Sequence, residues 1–321
     1  MPDSRRSVEG QSSKMPVRKR SADTSPDISA EDPDLPAIKS ILQVYHTVFT
    51  AAAASIESPL IGKIQPLEPP TSREPQTYIL IPDRRFNGRF SIPNALSTDF
   101  PPEIVGSDDL DKEMILKLQK AYTKMFLCDS ALEALEAVVG QKLAELDAKV
   151  EWMMIIGGIT ANFGIAITTP QKSDVWEKKS KKHEMEILST LCGDHSVFQV
   201  TSADGTAYIA DFTLEQFGHD VSEWFLPKTL YLERYVGERE TRPVTETERE
   251  NVKVADSDSP WLEAMHKFCE EELDWEQLMA MEDDKRSEEV TKKVEASENL
   301  MTECKQKKFS VEQSSNLVWG G

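Results

Sequence analysis

Apolar positions recur three and four residues apart along most of the chain, and the interruptions mark its joints. In AIKSILQVYHTVFTAAAASI, the side chains Ile38, Ile41, Leu42, Tyr45, Val48 and Phe49 share one helical face, the spacing of a helix with one buried stripe. A proline-rich connection leads to TYILI, a compact apolar run that stops at Pro82 and reads as a strand. The longest periodic segment follows Ser107 and its aspartates, which supply a cap and a favourable first-turn charge. Its stripe is Leu110, Met114, Leu118, Ala121 and Met125, and the same spacing continues through Cys128 to Leu132, Leu135, Val139, Leu143 and Leu146. One long helix, or two helices broken near Phe126 to Ser130, fits that pattern.

Glycine punctuates the next stretch. VEWMMIIGGITANFGIAITT predicts two short strands around a Gly157-Gly158 turn or bulge. The lysine-rich KSDVWEKKSKKHEMEILSTLCG reads as a polar helix or insertion. In CGDHSVFQVTSADGTAYIADFTLEQFG, residues 192–218, two apolar runs flank TSADG. That is the pattern of a β-hairpin, with His195 entering one strand and Asp211 leaving the other. Beyond it, SEWFLPKTLYLERYVGERE carries apolar residues for another core element. A second helical pattern begins with Ser259 as cap and Pro260 at the first helical position, and Leu262, Met265, Cys269 and Leu273 lie on one side of it.

These patterns predict an α+β protein of helices packed on an antiparallel sheet. Residues 1–36 hold almost no large apolar side chains and are expected to be a disordered tail. The core is expected over 37–237, a charged linker over 238–259, an acidic helical arm over 260–304 and a flexible tail over 305–321.

Charge narrows the partners. The chain carries 56 acidic against 37 basic side chains, a net charge of -19, which repels nucleic acid and anionic membrane surfaces. The basic stretch RRSVEGQSSKMPVRKR is the exception and leaves nuclear import open beside a cytoplasmic location. No apolar run reaches membrane-spanning length and no signal-peptide core follows the start. The four cysteines are scattered without CxxC pairing, so neither a disulfide framework nor a zinc site is expected. GGITANFG lacks the spacing of a dinucleotide fingerprint, and no cofactor is expected.

The hairpin carries the candidate chemistry. On adjacent antiparallel strands, His195 and Asp211 come within reach of each other, and a carboxylate beside an imidazole fixes its tautomer and stabilises the imidazolium. The run HSVFQV, a turn with glycine, AYIAD and then FTLEQFG resembles the second half of the papain-like, transglutaminase-type fold, arylamine N-acetyltransferases included. The likeness spans residues 192–218 and, more loosely, 107–218. It implies a cysteine nucleophile at an upstream helix N-terminus, His195 as the general base, Asp211 as its orienting partner and Gln216 as a supporting polar group. Cys128 is the upstream cysteine, whereas Cys192 sits just before the hairpin.

Against that role, no glycine, tryptophan or proline breaks the chain at Cys128, which shares a stripe with Met125 and Leu132. Asp129 beside it raises a thiol pKa. The expectation is therefore a helix that runs through, and a catalytically silent module that binds a protein partner with its acidic C-terminal helix. The alternative is a cysteine-dependent hydrolase or acyltransferase using Cys128, His195 and Asp211. The remaining histidines, His46, His183, His219 and His266, read as packed or surface side chains.

Overall fold

The computed structural model describes residues 33–56, 61–67, 75–82, 110–167, 193–256 and 260–306. The expected tails lie outside them up to residue 32 and from residue 307, as does the lysine-rich stretch. All described residues belong to one compact unit, Asp32–Gly321. The fold class is α+β, as the sequence pattern implied.

The first helix, α1 (Leu35–Ala54), carries Pro36 in its first turn, where a missing N–H costs nothing. Two strands follow, β1 (Ile61–Leu67) and β2 (Gln76–Pro82), then α2 (Lys112–Lys124). Ser107 lies outside the described residues, and the side chain that caps α2 is that of Asp111, which accepts the Met114 N–H at 2.7 Å. Next come α3 (Cys128–Ala144), β3 (Lys149–Ile155), β4 (Phe163–Ile167), β5 (His195–Thr201) and β6 (Ala207–Ala210). The chain closes with β7 (Phe225–Pro227), α4 (Lys228–Tyr231), β8 (Thr241–Pro243), α5 (Glu246–Asp256), α6 (Pro260–Glu271), α7 (Trp275–Met279), α8 (Asp283–Ala296) and α9 (Glu298–Gln306).

The strands form two sheets. In order β7-β6-β5-β3-β8, the larger is antiparallel throughout. The smaller, β1-β2-β4, pairs β2 with β4 in parallel. The two strands read around Gly157-Gly158 therefore belong to different sheets. Both glycines have positive φ, 75° and 70°, and turn the chain out of β3.

Alternation along β5 assigns its faces. Phe198 and Val200 join the main core with α1, α3 and the C-terminal helices, while Val197 joins a second cluster with Ile209, Leu214, Phe217, Tyr231 and Tyr235. A third cluster, around Tyr78, Leu80, Leu118, Tyr122 and Phe163, lies between the small sheet and α2.

The charged stretch 238–259 does more than link. Thr241–Pro243 pairs with β3 at the sheet edge, and α5 packs on α3 with Arg249 paired to Glu136. The acidic segment after it covers the core as four helices: α8 lies on α1, α6 on α3 and α9 on α6. Trp261, Val290 and Leu300 are among the side chains they bury.

Past the end of α3, the exposed Asp147 holds φ at 52°, a left-handed conformation that costs a residue with a Cβ. Asp147→Gly should therefore raise stability by about 0.5–1 kcal/mol, read as a higher urea midpoint. A lower midpoint would show that the aspartate itself secures the helix end.

Candidate active site

The chain breaks before Cys128. Helix α2 ends at Lys124, Phe126 takes φ of 60°, and α3 starts with Cys128 as its first residue. The expected continuous helix is thus corrected, and packing explains why. Met125 and Phe126 belong to the cluster under the small sheet, whereas Leu127, Ala131 and Leu132 belong to the main core. One straight stripe cannot face both. A positive φ at a non-glycine residue costs roughly 1–2 kcal/mol, an amount that burial of one or two apolar side chains offsets.

His195 and Asp211 stand as the hairpin pattern implied. Pairing of β5 with β6 begins at Phe198 opposite Ala210, so His195 extends past the partner strand and Asp211 follows its end. The two are diagonal neighbours on one face, both fully buried, with His195 Nε2 at 2.8 Å from Asp211 Oδ2. The His195 ring meets the edge of Phe217 with centroids 4.8 Å apart.

Asp211 is held on both oxygens. The Tyr231 hydroxyl donates to Oδ2 at 2.7 Å and the Thr213 N–H to Oδ1 at 3.0 Å. Burial alone would push this carboxyl up, but the adjacent His195 and the hydrogen bonds from His195, Tyr231 and Thr213 outweigh it, and the carboxyl sits below its usual range. Tyr231 ends α4, which continues as a wide π turn over Leu232–Val236, a geometry common where a side chain must be aimed.

The tautomer of His195 follows from donors alone. The Phe126 N–H donates to Gln216 Oε1 at 3.3 Å, which fixes the amide so that Nε2 is its donor end. That Nε2 lies 3.1 Å from Thr213 Oγ1 and 3.4 Å from His195 Nδ1. Nδ1 therefore accepts, and Nε2–H of His195 points at Asp211. This is the form in which Nδ1 offers a lone pair to a proton donor.

Cys128 borders the same network. The backbone N–H groups of Ser196 and Asp129 reach its sulfur, and the Asp211 charge acts on it. Cys128 as a whole is 9% exposed. Burial raises its pKa most, followed by Asp129 and Asp211, and the two N–H groups offset only part of this. The result is a neutral thiol, well above the ordinary cysteine range. The Asp129 carboxylate takes the Ser196 hydroxyl at 2.5 Å.

Of the four residues singled out from sequence, His195, Asp211 and Gln216 are joined by hydrogen bonds, and Cys128 borders them through the Ser196 N–H and the Asp211 charge. Sequence reasoning missed Tyr231, Thr213 and Ser196, and it offered the break near Phe126 only as the alternative to a continuous helix. Thr213 had a local signal, because a residue two positions after an aspartate often returns its N–H to that carboxylate. Tyr231 had none, since it arrives from a different element.

The other histidines stand apart. His46 is buried, stacked on Trp224 at 4.9 Å, and 3.2 Å from the Lys124 ammonium. Burial and then that ammonium hold its imidazole well below the usual range. His219 bonds Asn162 and the Thr160 carbonyl, and His266 pairs with Glu270. His183 lies outside the described residues. Among the described residues no three His, Cys, Asp or Glu side chains are grouped as metal ligands, and no helix is long and apolar enough to cross a membrane.

No protein-family model, curated protein or solved structure matches the chain.

Proposed function

We propose that this chain is a cysteine-dependent acyl-transfer enzyme of papain-like arrangement, a hydrolase or acyltransferase, resting with its thiol neutral. The observation that carries the reading is Cys128 as the first residue of α3, its sulfur reached by the N–H of Ser196, which follows His195, and by the charge of Asp211, the partner of His195. At a helix N-terminus the macrodipole favours a thiolate, and the neighbouring imidazole supplies the base.

In the reaction, the Cys128 S–H proton passes to His195 Nδ1 while sulfur bonds to the carbonyl carbon of the acyl donor. The carbonyl π pair moves to oxygen. When that pair returns, the bond to the leaving group breaks, and the leaving group takes the proton from Nδ1. Water or an acceptor nucleophile then cleaves the thioester, losing its own proton to Nδ1 and leaving the thiol to recover it. Asp211 stays ionised throughout, holding Nε2–H and stabilising the imidazolium.

A second reading keeps the same core as a silent binding module. It is favoured by the buried thiol and by the bonds already made at both nitrogens of His195. In that reading the exposed faces of the acidic C-terminal helices meet a protein partner.

The test is acylation by p-nitrophenyl acetate, followed as thioester on the Cys128 peptide by mass spectrometry. A general base contributes about 10²–10⁴ to such a step, so His195→Ala should slow thioester formation at least about a hundredfold. Equal rates in the two proteins would remove the enzyme reading and leave the module.

A further inference from the structure

Gln216 is at most a supporting group in the mechanism above, yet it occupies the atom the mechanism needs. Its side chain is 3% exposed and lies between the Phe126 turn and His195. Of the contacts around the imidazole, those on Asp211 are short, 2.7 Å from Tyr231 and 2.8 Å from His195. Gln216 Nε2 holds Thr213 Oγ1 at 3.1 Å, but the Gln216 contacts to the Phe126 N–H and to Nδ1 are longer, 3.3 Å and 3.4 Å. Hydrogen bonds weaken with length, so the contact covering the His195 lone pair is weaker than those that tie Asp211 to His195 and Tyr231.

The backbone beneath it is fixed. Gln216 sits on the 3₁₀ turn Leu214–Phe217, tied to α2 by the ion pair of Glu215 with Lys124. The turn closes at Gly218, whose φ is 77° and where an added Cβ would collide with the Phe163 ring. Movement at this point therefore belongs to the side chain and not to the turn.

We propose that Gln216 is a gate on the acyl-transfer site: its amide closes the His195 Nδ1 lone pair in the resting protein, and turning away frees Nδ1 for the Cys128 proton. This rests on the enzyme reading. The contact is autoinhibitory, because a thiol cannot donate to an atom already bonded to another donor.

The experiment compares wild type, Gln216→Met, and Gln216→Met with His195→Ala, in the p-nitrophenyl acetate assay on the full chain. Methionine keeps the length and loses the donor. Gln216→Met should form the Cys128 thioester about tenfold faster than wild type, equivalent to about 1.4 kcal/mol, with the gain abolished by His195→Ala. A rate that stays equal or falls while remaining dependent on His195 overturns the gate but leaves the enzyme reading. Thioester formation indifferent to His195 in every protein removes both. A merely structural role would lower the melting temperature and the rate together. Should Gln216→Met fail to fold, ¹⁵N-histidine spectra of the wild-type protein decide: an unprotonated, hydrogen-bonded Nδ1 with protonated Nε2 on His195 is expected, and a protonated Nδ1 near neutral pH overturns the gate.

Discussion

Iodoacetamide should alkylate Cys128 in the folded protein at least about a hundredfold more slowly near neutral pH than it alkylates the same cysteine after unfolding. Only the thiolate reacts, and each unit by which the pKa rises removes about nine tenths of what thiolate remains. Burial, then Asp129 and then Asp211, all act in that direction at Cys128. The sign also fixes the pH profile. An unfolded cysteine levels off above about pH 8.5, whereas the Cys128 rate should keep climbing about tenfold per unit beyond that point. Stability follows by linkage. The buried neutral thiol contributes fully below about pH 8.5, and its contribution is lost as pH rises from there towards the folded value. Asp129→Asn removes the second cause and should speed labelling without moving the first. Peptide mass spectrometry across a pH series reads all of this, and rapid labelling with a plateau below about pH 8.5 would mean an exposed, ionised thiol instead.

That expectation shows where sequence and structure part. The hairpin was legible because its period, its turn and its two apolar runs are all local, and a two-residue alternation leaves little choice of register. His195 and Asp211 came with it. The spacing left a break near Phe126 open but could not decide for it, because Phe126 takes its positive φ without glycine, and the cause lies in two cores at opposite ends of one stripe. A helix read only by spacing cannot reveal that Met125 and Leu132 have different neighbours. Both strands around Gly157-Gly158 were legible, but not the partner of β4, since β2 is remote in sequence. The three residues of β8 are too few to carry a period at all. The Tyr231 hydroxyl, like the Gln216 amide, takes its meaning from a partner that only the folded chain supplies.

Lys124→Met should destabilise the protein by about 3–5 kcal/mol, the cost of leaving a buried charge without its partner. Lys124 is 2% exposed and Glu215 is 7% exposed, and they form an ion pair between the end of α2 and the 3₁₀ turn that carries Gln216. His46 adds only a ring nitrogen at 3.2 Å from the ammonium. Methionine fills the space of the lysine stem, so the loss measures charge and not a cavity. The pair itself is a different matter, because taking two charges out of water costs about as much as their attraction returns. The double variant Lys124→Met with Glu215→Leu should therefore recover to within about 1–2 kcal/mol of wild type. Urea midpoints of the four proteins give the coupling directly. A loss of under about 1 kcal/mol in Lys124→Met would show that Glu215 reaches water or another cation without Lys124. With the expected loss, the ion pair acts less as a source of stability than as a lock: each charge tolerates burial only while the other is present, and that mutual dependence holds the turn bearing Gln216 against the helix end before Cys128.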